Sequence, residues 1–233
     1  MVDAGPERLR RGAHRSLRAA AYDVLREYLI TGRLAAGERI NLVDVQRMLG
    51  VGLSAIREAM CQLAAEGLVV AEEQCGFVAA PISAQDLVDL TTARVEVECF
   101  ALRDAIARGD LLWEERIITE FHKLAELRAA GPNRALRAPN RAQDMAFHDA
   151  LVATCGSQWM LRFRRMLYNS SERYAERYSH IGVLDPVSKR DADEDHRAIM
   201  EAAIARDADR AVALITQHLE EAARILLRIG ITG

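Results

Sequence analysis

Aromatic residues are scarce in this chain: 5% of its 233 residues are Phe, Trp or Tyr, whereas 50% are hydrophobic and 28% are charged. Ala, Leu, Arg and Glu are abundant, and these residue types favour helix. No apolar run approaches the roughly 18 residues that a membrane-spanning helix requires. The composition therefore favours a globular, mainly α protein and argues against membrane association.

Cysteine is sparse and forms no CxxC pair. The four cysteines are Cys61, Cys75, Cys99 and Cys155. Scattered single cysteines are typical of free thiols in a reducing compartment rather than of a disulfide framework. The arginines near the N-terminus have no apolar segment behind them, as a secretory signal would require. We therefore expect a cytoplasmic protein.

An excess of positive charge is also missing. The net charge is -3, and residues 1–80 hold ten Arg against ten Asp and Glu. Only the basic arm, residues 1–15, departs from this balance. It either follows DNA phosphates or serves as a disordered, solubilising tail. Because DNA-binding proteins usually carry a basic surface, a DNA-binding function must rest here on the pattern of residues.

Residues 16–80 have the element order of a winged helix-turn-helix. Hydrophobic periodicity, together with glycines at the ends of segments, defines the elements. Ser54 is the expected N-cap of the third helix. The predicted elements are helices at 17–30, 42–49 and 54–66 and strands at 68–71 and 77–80. Two helices around a tight turn, followed by a hairpin, are typical of that fold.

The remainder, residues 81–233, contains no convincing strand. Ser83 and Asp86 resemble a capping box that opens the first helix of this part. Glycines, prolines and aspartates separate the helical segments that follow. The predicted helices are at about 84–108, 111–129, 141–154, 157–179, 188–205 and 208–229. The expected architecture is thus a winged helix-turn-helix plus an all-α helical bundle.

The third helix is the candidate DNA-recognition element. In a helix-turn-helix the second helix of the motif enters the major groove and presents its N-terminal residues to base edges. Arg57 lies in the first turn, where a guanidinium can bind guanine O6 and N7. Ser54 either contacts a phosphate or caps the helix. On an isolated helix both would more often be ordinary surface residues, but the surrounding element order favours DNA contact.

The stretch 30–83 resembles the GntR superfamily, specifically its FadR-like branch. Members carry G-x-L-x-x-G-E-x-L and then L-G-V-S-x-x-x-V-R-E-A-L-x-x-L-x-x-E-G-L-V, and REAM, QL and EGLV are in register here. The variant GVGLSAIREA is similar to a subgroup that includes carbon-starvation-induced, glutarate-responsive repressors. The resemblance implies a transcription regulator, usually a repressor. As a homodimer it would bind a palindromic operator in double-stranded DNA.

Three positions depart from the family pattern. Leu53 replaces an Arg common at the start of the recognition helix, Val43 replaces an Arg that some members carry, and the wing tip is Cys75-Gly76 instead of Arg-Gly. Among the base-reading positions only Arg57 matches the pattern cleanly, so the operator sequence of relatives does not carry over. The candidate DNA-binding residues are Arg57, Ser54, Leu53, Arg47 and Gly76.

Histidines occur at few positions, and three of them lie beside apolar residues on predicted helices. Asp144 and His148 are four residues apart, on one helix face, while His196 and His218 lie on two other helices. Each histidine alone would more often be a hydrogen-bonded packing residue. Neutral imidazoles and a carboxylate are also the ligands that divalent metals bind in proteins.

Residues 84–228 resemble the FCD ligand domain of FadR-like regulators, which carries D-x-x-F-H, then H-x-x-I, then H-L. The resemblance implies that Asp144, His148, His196 and His218 bind a divalent metal, with zinc expected first and nickel or manganese as alternatives. It also implies that the metal helps hold a small carboxylate effector.

An anionic effector needs further cations or hydrogen-bond donors. Arg94 begins the family-like segment RVEVECFALRDAIA, its counterpart points into the cavity of related domains, and a guanidinium suits a carboxylate. Asn169 and Arg173 lie on a helix expected to line the same cavity. Either these two also bind the effector, or they belong to ordinary helix surface.

Two other functions fit the same four residues. A metalloenzyme could use such a cluster to activate water. The chain has no HExxH motif, nucleophile elbow or evident general base, so we expect no enzymatic activity. A pure metal sensor is the third possibility, and DNA release by metal without any carboxylate would identify it.

Overall fold

The computed structural model describes residues 17–72, 76–131, 137–181 and 191–229. Within these ranges the chain forms nine helices and one three-stranded sheet. The elements are α1 (Leu17–Ile30), β1 (Arg39–Ile40), α2 (Leu42–Leu49), α3 (Leu53–Ala65), β2 (Val69–Glu72), β3 (Gly76–Ala79), α4 (Ala84–Arg108), α5 (Leu111–Ala129), α6 (Arg137–Leu151), α7 (Gln158–Ile181), α8 (Ala192–Ile204) and α9 (Ala208–Ile229). Among the described helices, none is both long and apolar enough to span a bilayer.

Two compact units make up the chain. The first contains the described residues of 1–90, 166–185 and 226–233, and the second contains those of 91–165 and 186–225. The later part of α7 packs with the N-terminal elements, and the domain boundary between residues 80 and 81 stays a prediction. Within the first unit, for example, Arg173 Nη1 donates to the carbonyl oxygen of Ala80 at 2.6 Å.

The first unit has a hydrophobic core formed by α1, α2, α3 and the sheet. Leu25, Ile56 and Leu63 are fully buried in it. Gly50 ends α2 with φ 67°, a left-handed conformation that glycine adopts without steric cost. The sheet order is β1-β3-β2, with both pairs antiparallel. The predicted winged helix-turn-helix is confirmed.

Two local predictions in this unit were incomplete. Strand β1 was not expected, since two residues are too few to show an alternating pattern. Ser54 was expected to cap α3, but the helix begins at Leu53 and its N-cap is Gly52, which has no side chain to donate or accept. Ser54 is instead the second helical residue, and its hydroxyl donates to Glu58 Oε1 at 3.4 Å.

The second unit is a helical bundle with its own core. Buried residues from α4, α5, α6, α8 and α9 pack together, including Leu102, Ile117, Phe147 and Ile199. Helix α6 begins at Arg137, before the predicted residue 141. Asp191 caps α8 by accepting hydrogen bonds from the backbone N–H groups of the first helical turn. The predicted all-α bundle is therefore confirmed.

Candidate functional site

Three helices of the second unit each direct one histidine to the same point. His148 lies on α6, His196 on α8 and His218 on α9. One ligand-capable atom from each lies within 4.8 Å of the others. His148 and His196 are only 2% and 1% exposed. Because the helices fix the rings in the core, the imidazoles form a preorganised cluster.

Asp144 joins this cluster from the helical turn that precedes His148. Its Oδ2 lies 3.8 Å from His148 Nε2, and its Oδ1 lies 3.8 Å from His196 Nε2. The structure thus brings together all four residues predicted as metal ligands. Three imidazoles and a carboxylate are a donor set suited to a first-row transition metal such as zinc, nickel or manganese.

A second carboxylate orients His218. Asp195 Oδ2 lies 3.3 Å from His218 Nδ1. A carboxylate at Nδ1 fixes the proton on that nitrogen and leaves the lone pair of Nε2 for a metal. Asp195 directly precedes His196 in the sequence, but its role was not predictable because its partner lies on another helix.

Burial and neighbouring charges keep His148 neutral. Burial is the main cause that lowers its pKa well below the usual 6.5, and the charges of His196, His218, Arg94 and Arg164 lower the pKa further. A neutral imidazole retains the lone pair that binds a metal. The environment of His148 therefore favours its ligand form.

The second unit contains a largely buried ion-pair network of Arg94, Glu98, Arg164 and Asp149. Arg164 is 2% exposed, and its Nε and Nη1 donate to Glu98 at 2.7 Å and to Asp149 at 2.5 Å. Arg94 Nε lies 3.7 Å from Glu98 Oε1. Burial lowers the pKa of Arg164, but the two carboxylates outweigh burial and raise it. The charges of Arg94 and Arg164 thus act on His148, while Glu98 and Asp149 balance them within the network.

Asn169 and Arg173, the other two candidate effector-binding residues, are buried in the first unit. Both belong to the first unit, and their hydrogen bonds join α7 to the winged helix-turn-helix. Asn169 accepts from Arg26 Nη2 at 3.2 Å and donates to Glu66 at 3.4 Å. Arg173 donates to the backbone oxygens of Ala80 and Pro81. Both residues therefore have partners within the first unit, and their assignment to the effector site stays a prediction.

The exposed face of α3 forms the candidate DNA-recognition surface. Arg57, Ser54 and Glu58 are exposed, and together with Arg18, Cys61 and Gln62 they line an open depression. Arg18 Nε lies 3.9 Å from Glu58.

The remaining predicted DNA-binding residues are also accessible to solvent. Arg47 is exposed and pairs with Asp44 at 3.0 Å, Gly76 is exposed at the start of β3, and Leu53 is partly exposed. Cys75 and the basic arm, residues 1–15, lie outside the described residues. All five candidate DNA-binding residues are thus at least partly exposed and available to a macromolecular partner.

Two known families match successive parts of the chain. Residues 17–78 match the family described as "Bacterial regulatory proteins, gntR family", and residues 89–221 match the FCD domain. The chain is 34% identical to the HTH-type transcriptional regulator BphR of Paraburkholderia xenovorans, over 93% of this chain and 88% of that protein. It is 32% identical to the HTH-type transcriptional repressor GlaR of Escherichia coli, over 85% and 90%.

Solved structures share the fold. The structure of E. coli McbR/YncC aligns with a TM-score of 0.74 at 17% identity, covering 92% of this chain and 98% of that one. A putative transcriptional regulator GntR from Rhodococcus aligns with a TM-score of 0.69 at 23% identity, covering 91% and 97%. At these identities the likeness concerns architecture alone.

Proposed function

Because the chain belongs to the GntR family of bacterial regulatory proteins and carries an FCD domain, we propose that it is an effector-controlled repressor acting as a homodimer in the cytoplasm. Transcription regulation, rather than enzymatic turnover, is the function of its families and relatives. The convergence of Asp144, His148, His196 and His218 is the observation that carries the finer proposal of metal-dependent effector control.

The four converging residues would hold one divalent metal, with zinc as the first candidate and nickel or manganese as alternatives. The donor set fits because the Asp195 contact favours Nε2 of His218 for ligation and burial keeps His148 neutral. A bound metal supplies positive charge and a coordination position that a carboxylate oxygen can occupy.

Arg94 would bind the carboxylate effector together with this metal. Its guanidinium belongs to the buried network with Glu98, and its charge acts on His148. A planar guanidinium binds carboxylates through two parallel hydrogen bonds. Small di- or hydroxycarboxylates fit such a pairing of one metal and one arginine.

Helix α7 contributes residues to both units. Its Arg164 belongs to the buried network of the second unit, whereas Asn169, Glu172 and Arg173 bind the winged helix-turn-helix within the first unit. An effector that binds better to the conformation with low DNA affinity would shift the equilibrium towards DNA release.

DNA recognition would involve one α3 helix from each subunit. Arg57 would contact a guanine, while Ser54, Leu53, Arg47 and Gly76 would contact neighbouring bases or phosphates. In this proposal residues 16–80 form the DNA-binding domain, and residues 81–233 bind the effector and dimerise. Twofold symmetry then requires a palindromic operator.

A thermal-shift screen tests the proposal. Small carboxylates are added to metal-loaded and chelator-treated protein, since specific binding raises the melting temperature by mass action. We expect a carboxylate to raise it only with metal present and to release the protein from a selected palindromic fragment. Asp144→Ala should lose both responses. Stabilisation that is identical without metal would refute the metal-held effector, and DNA release by metal alone would indicate a metal sensor.

A further inference from the structure

Arg128, in the last turn of α5, makes three contacts at the histidine cluster. Its Nη2 donates to Asp144 Oδ1 at 2.7 Å, and its Nη1 lies 2.6 Å from Asp193 Oδ1 and 3.1 Å from His196 Nδ1. Two of these three partners are candidate metal ligands. Arg128 is therefore a cation already bound to two of the four candidate ligands.

The contact with His196 has a chemical consequence. A guanidinium carries only donors, so His196 Nδ1 must accept through its lone pair. In a neutral ring the proton then resides on Nε2, the nitrogen on the Asp144 side, at 3.8 Å. A protonated Nε2 has no lone pair for a metal. Ligation by Nε2 would move the proton to Nδ1 and set it against the N–H of Arg128.

The contact of Arg128 with Asp144 also opposes metal binding. The guanidinium neutralises the carboxylate charge that would attract a divalent cation, and like charges in a half-buried site repel. The Asp195 contact with His218 acts in the opposite direction, because a carboxylate at Nδ1 leaves Nε2 ready for ligation. The cluster thus has one outer residue that supports metal binding and one that opposes it.

We propose that Arg128 is an internal competitor of the metal, so that a metal can engage His196 and Asp144 fully only when the guanidinium leaves His196. This inference rests on the metal site of the proposed function. The competition would keep the bound metal exchangeable. It would also link metal occupancy to the first turn of α8, since Arg128 holds Asp193 there.

The opposite role is equally concrete and predicts the opposite sign. If Arg128 steadied Asp144 for the metal, as outer residues of metal sites commonly do, its removal would weaken metal affinity. The direction of the change in affinity therefore decides between competition and support.

The experiment measures zinc affinity of the full-length, chelator-stripped protein by competition with a chromophoric chelator. Arg128→Met keeps the length of the side chain but removes its charge and donors, and Arg128→Lys keeps the charge. Arg116→Met, an exposed position on the same helix, is the matched control. We expect Arg128→Met to bind zinc about 10-fold more tightly, within the range typical of outer residues, and to release it more slowly.

Companion variants make the outcomes distinguishable. Arg128→Lys should change affinity less than Arg128→Met, Arg116→Met should match the wild type, and Asp195→Ala should bind more weakly. Cobalt absorption spectra check that the ligands stay the same. Unchanged or weaker zinc binding by Arg128→Met overturns the proposed competition. The absence of zinc binding by both the wild type and Arg128→Met also overturns it. Zinc binding that survives His196→Ala would refute the metal site itself.

Discussion

The histidine cluster and the recognition surface on α3 are built in contrasting ways. The cluster draws buried or partly buried side chains from three different helices, α6, α8 and α9. The recognition surface lies on one helix, and Arg57, Ser54 and Glu58 are exposed to solvent. A buried site can hold a small ligand in a preset geometry, whereas an exposed helix acquires its specificity when it meets a shaped partner such as the DNA groove.

The charges of the two regions differ in the same way. In the second unit Arg164 lies between Glu98 and Asp149, so each buried charge has an opposite charge close by. Arg57 on α3 is exposed, so solvent and dissolved salt screen its charge. We therefore expect substitution of a buried charged residue to change the free energy of unfolding. Substitution of an exposed charged residue on α3 should change DNA affinity instead.

The largest effect should follow from breaking the buried network. Arg164→Met leaves Glu98 buried beside fewer cations, and breaking a buried pair costs about 3–5 kcal/mol in the free energy of unfolding. Arg57→Met should change that free energy by less than about 0.5 kcal/mol, as is usual for surface positions. Chemical denaturation measures both. If the two variants were equally destabilised, the buried and the exposed charges would not differ in their contribution to stability.

The next effect concerns the metal. His196→Ala removes a buried candidate ligand. We expect metal affinity to fall by more than the roughly 10–100-fold that substitution of an outer residue costs. Metal content after dialysis, measured by mass spectrometry, checks this. His122→Ala, an exposed histidine on α5, is the matched control. If both variants retained metal equally, the cluster would be a packing arrangement of histidines.

A third effect separates DNA recognition from ligand binding. Arg57→Met should weaken binding to the selected operator by about 10–100-fold per half-site, because a bidentate contact to a base contributes about 1–3 kcal/mol. Binding to random duplex should fall much less, and metal affinity should not change. Fluorescence anisotropy measures the DNA affinities, with Arg210→Met as an exposed control. A uniform loss on all sequences would show that Arg57 contacts phosphate instead of a base.

The smallest effect is a difference in thiol reactivity. Cys61 is exposed on the α3 face, whereas burial raises the pKa of Cys99 and of Cys155. Because the thiolate is the reactive form, iodoacetamide should modify Cys61 before Cys99 and Cys155, the other two cysteines that the structure describes. Operator DNA should slow that reaction several-fold and leave Cys99 unaffected, as peptide mass mapping can test. Full reactivity of Cys61 in the DNA complex would place this face outside the interface.

Much of the fold was predictable from local patterns. Helices α1 and α2 have the predicted bounds, because hydrophobic periodicity and the following glycines define them. Errors arose where the local signal was ambiguous or too short. Ser54 is a good capping residue by type, yet Gly52 already adopts the extended conformation that ends the turn. Strand β1 exists only through its pairing with β3.

The candidate site was predictable in its ligands but not in its surroundings. Asp144 and His148 share a helix face by spacing alone, and the family pattern added His196 and His218. Nothing local indicated Asp195, Arg128 or Arg164 as their neighbours, or the hydrogen bonds of Asn169 to Glu66 and of Arg173 to Ala80.

The amino-acid sequence alone determined the helices, the recognition helix and the residue types able to bind a metal, because these depend on spacing along a single element. Only the tertiary structure decided which charges surround the histidines and which module the later part of α7 contacts. Those outcomes depend on side chains distant in sequence that meet when helices pack, and the strength of a contact between charges depends on the burial that packing creates.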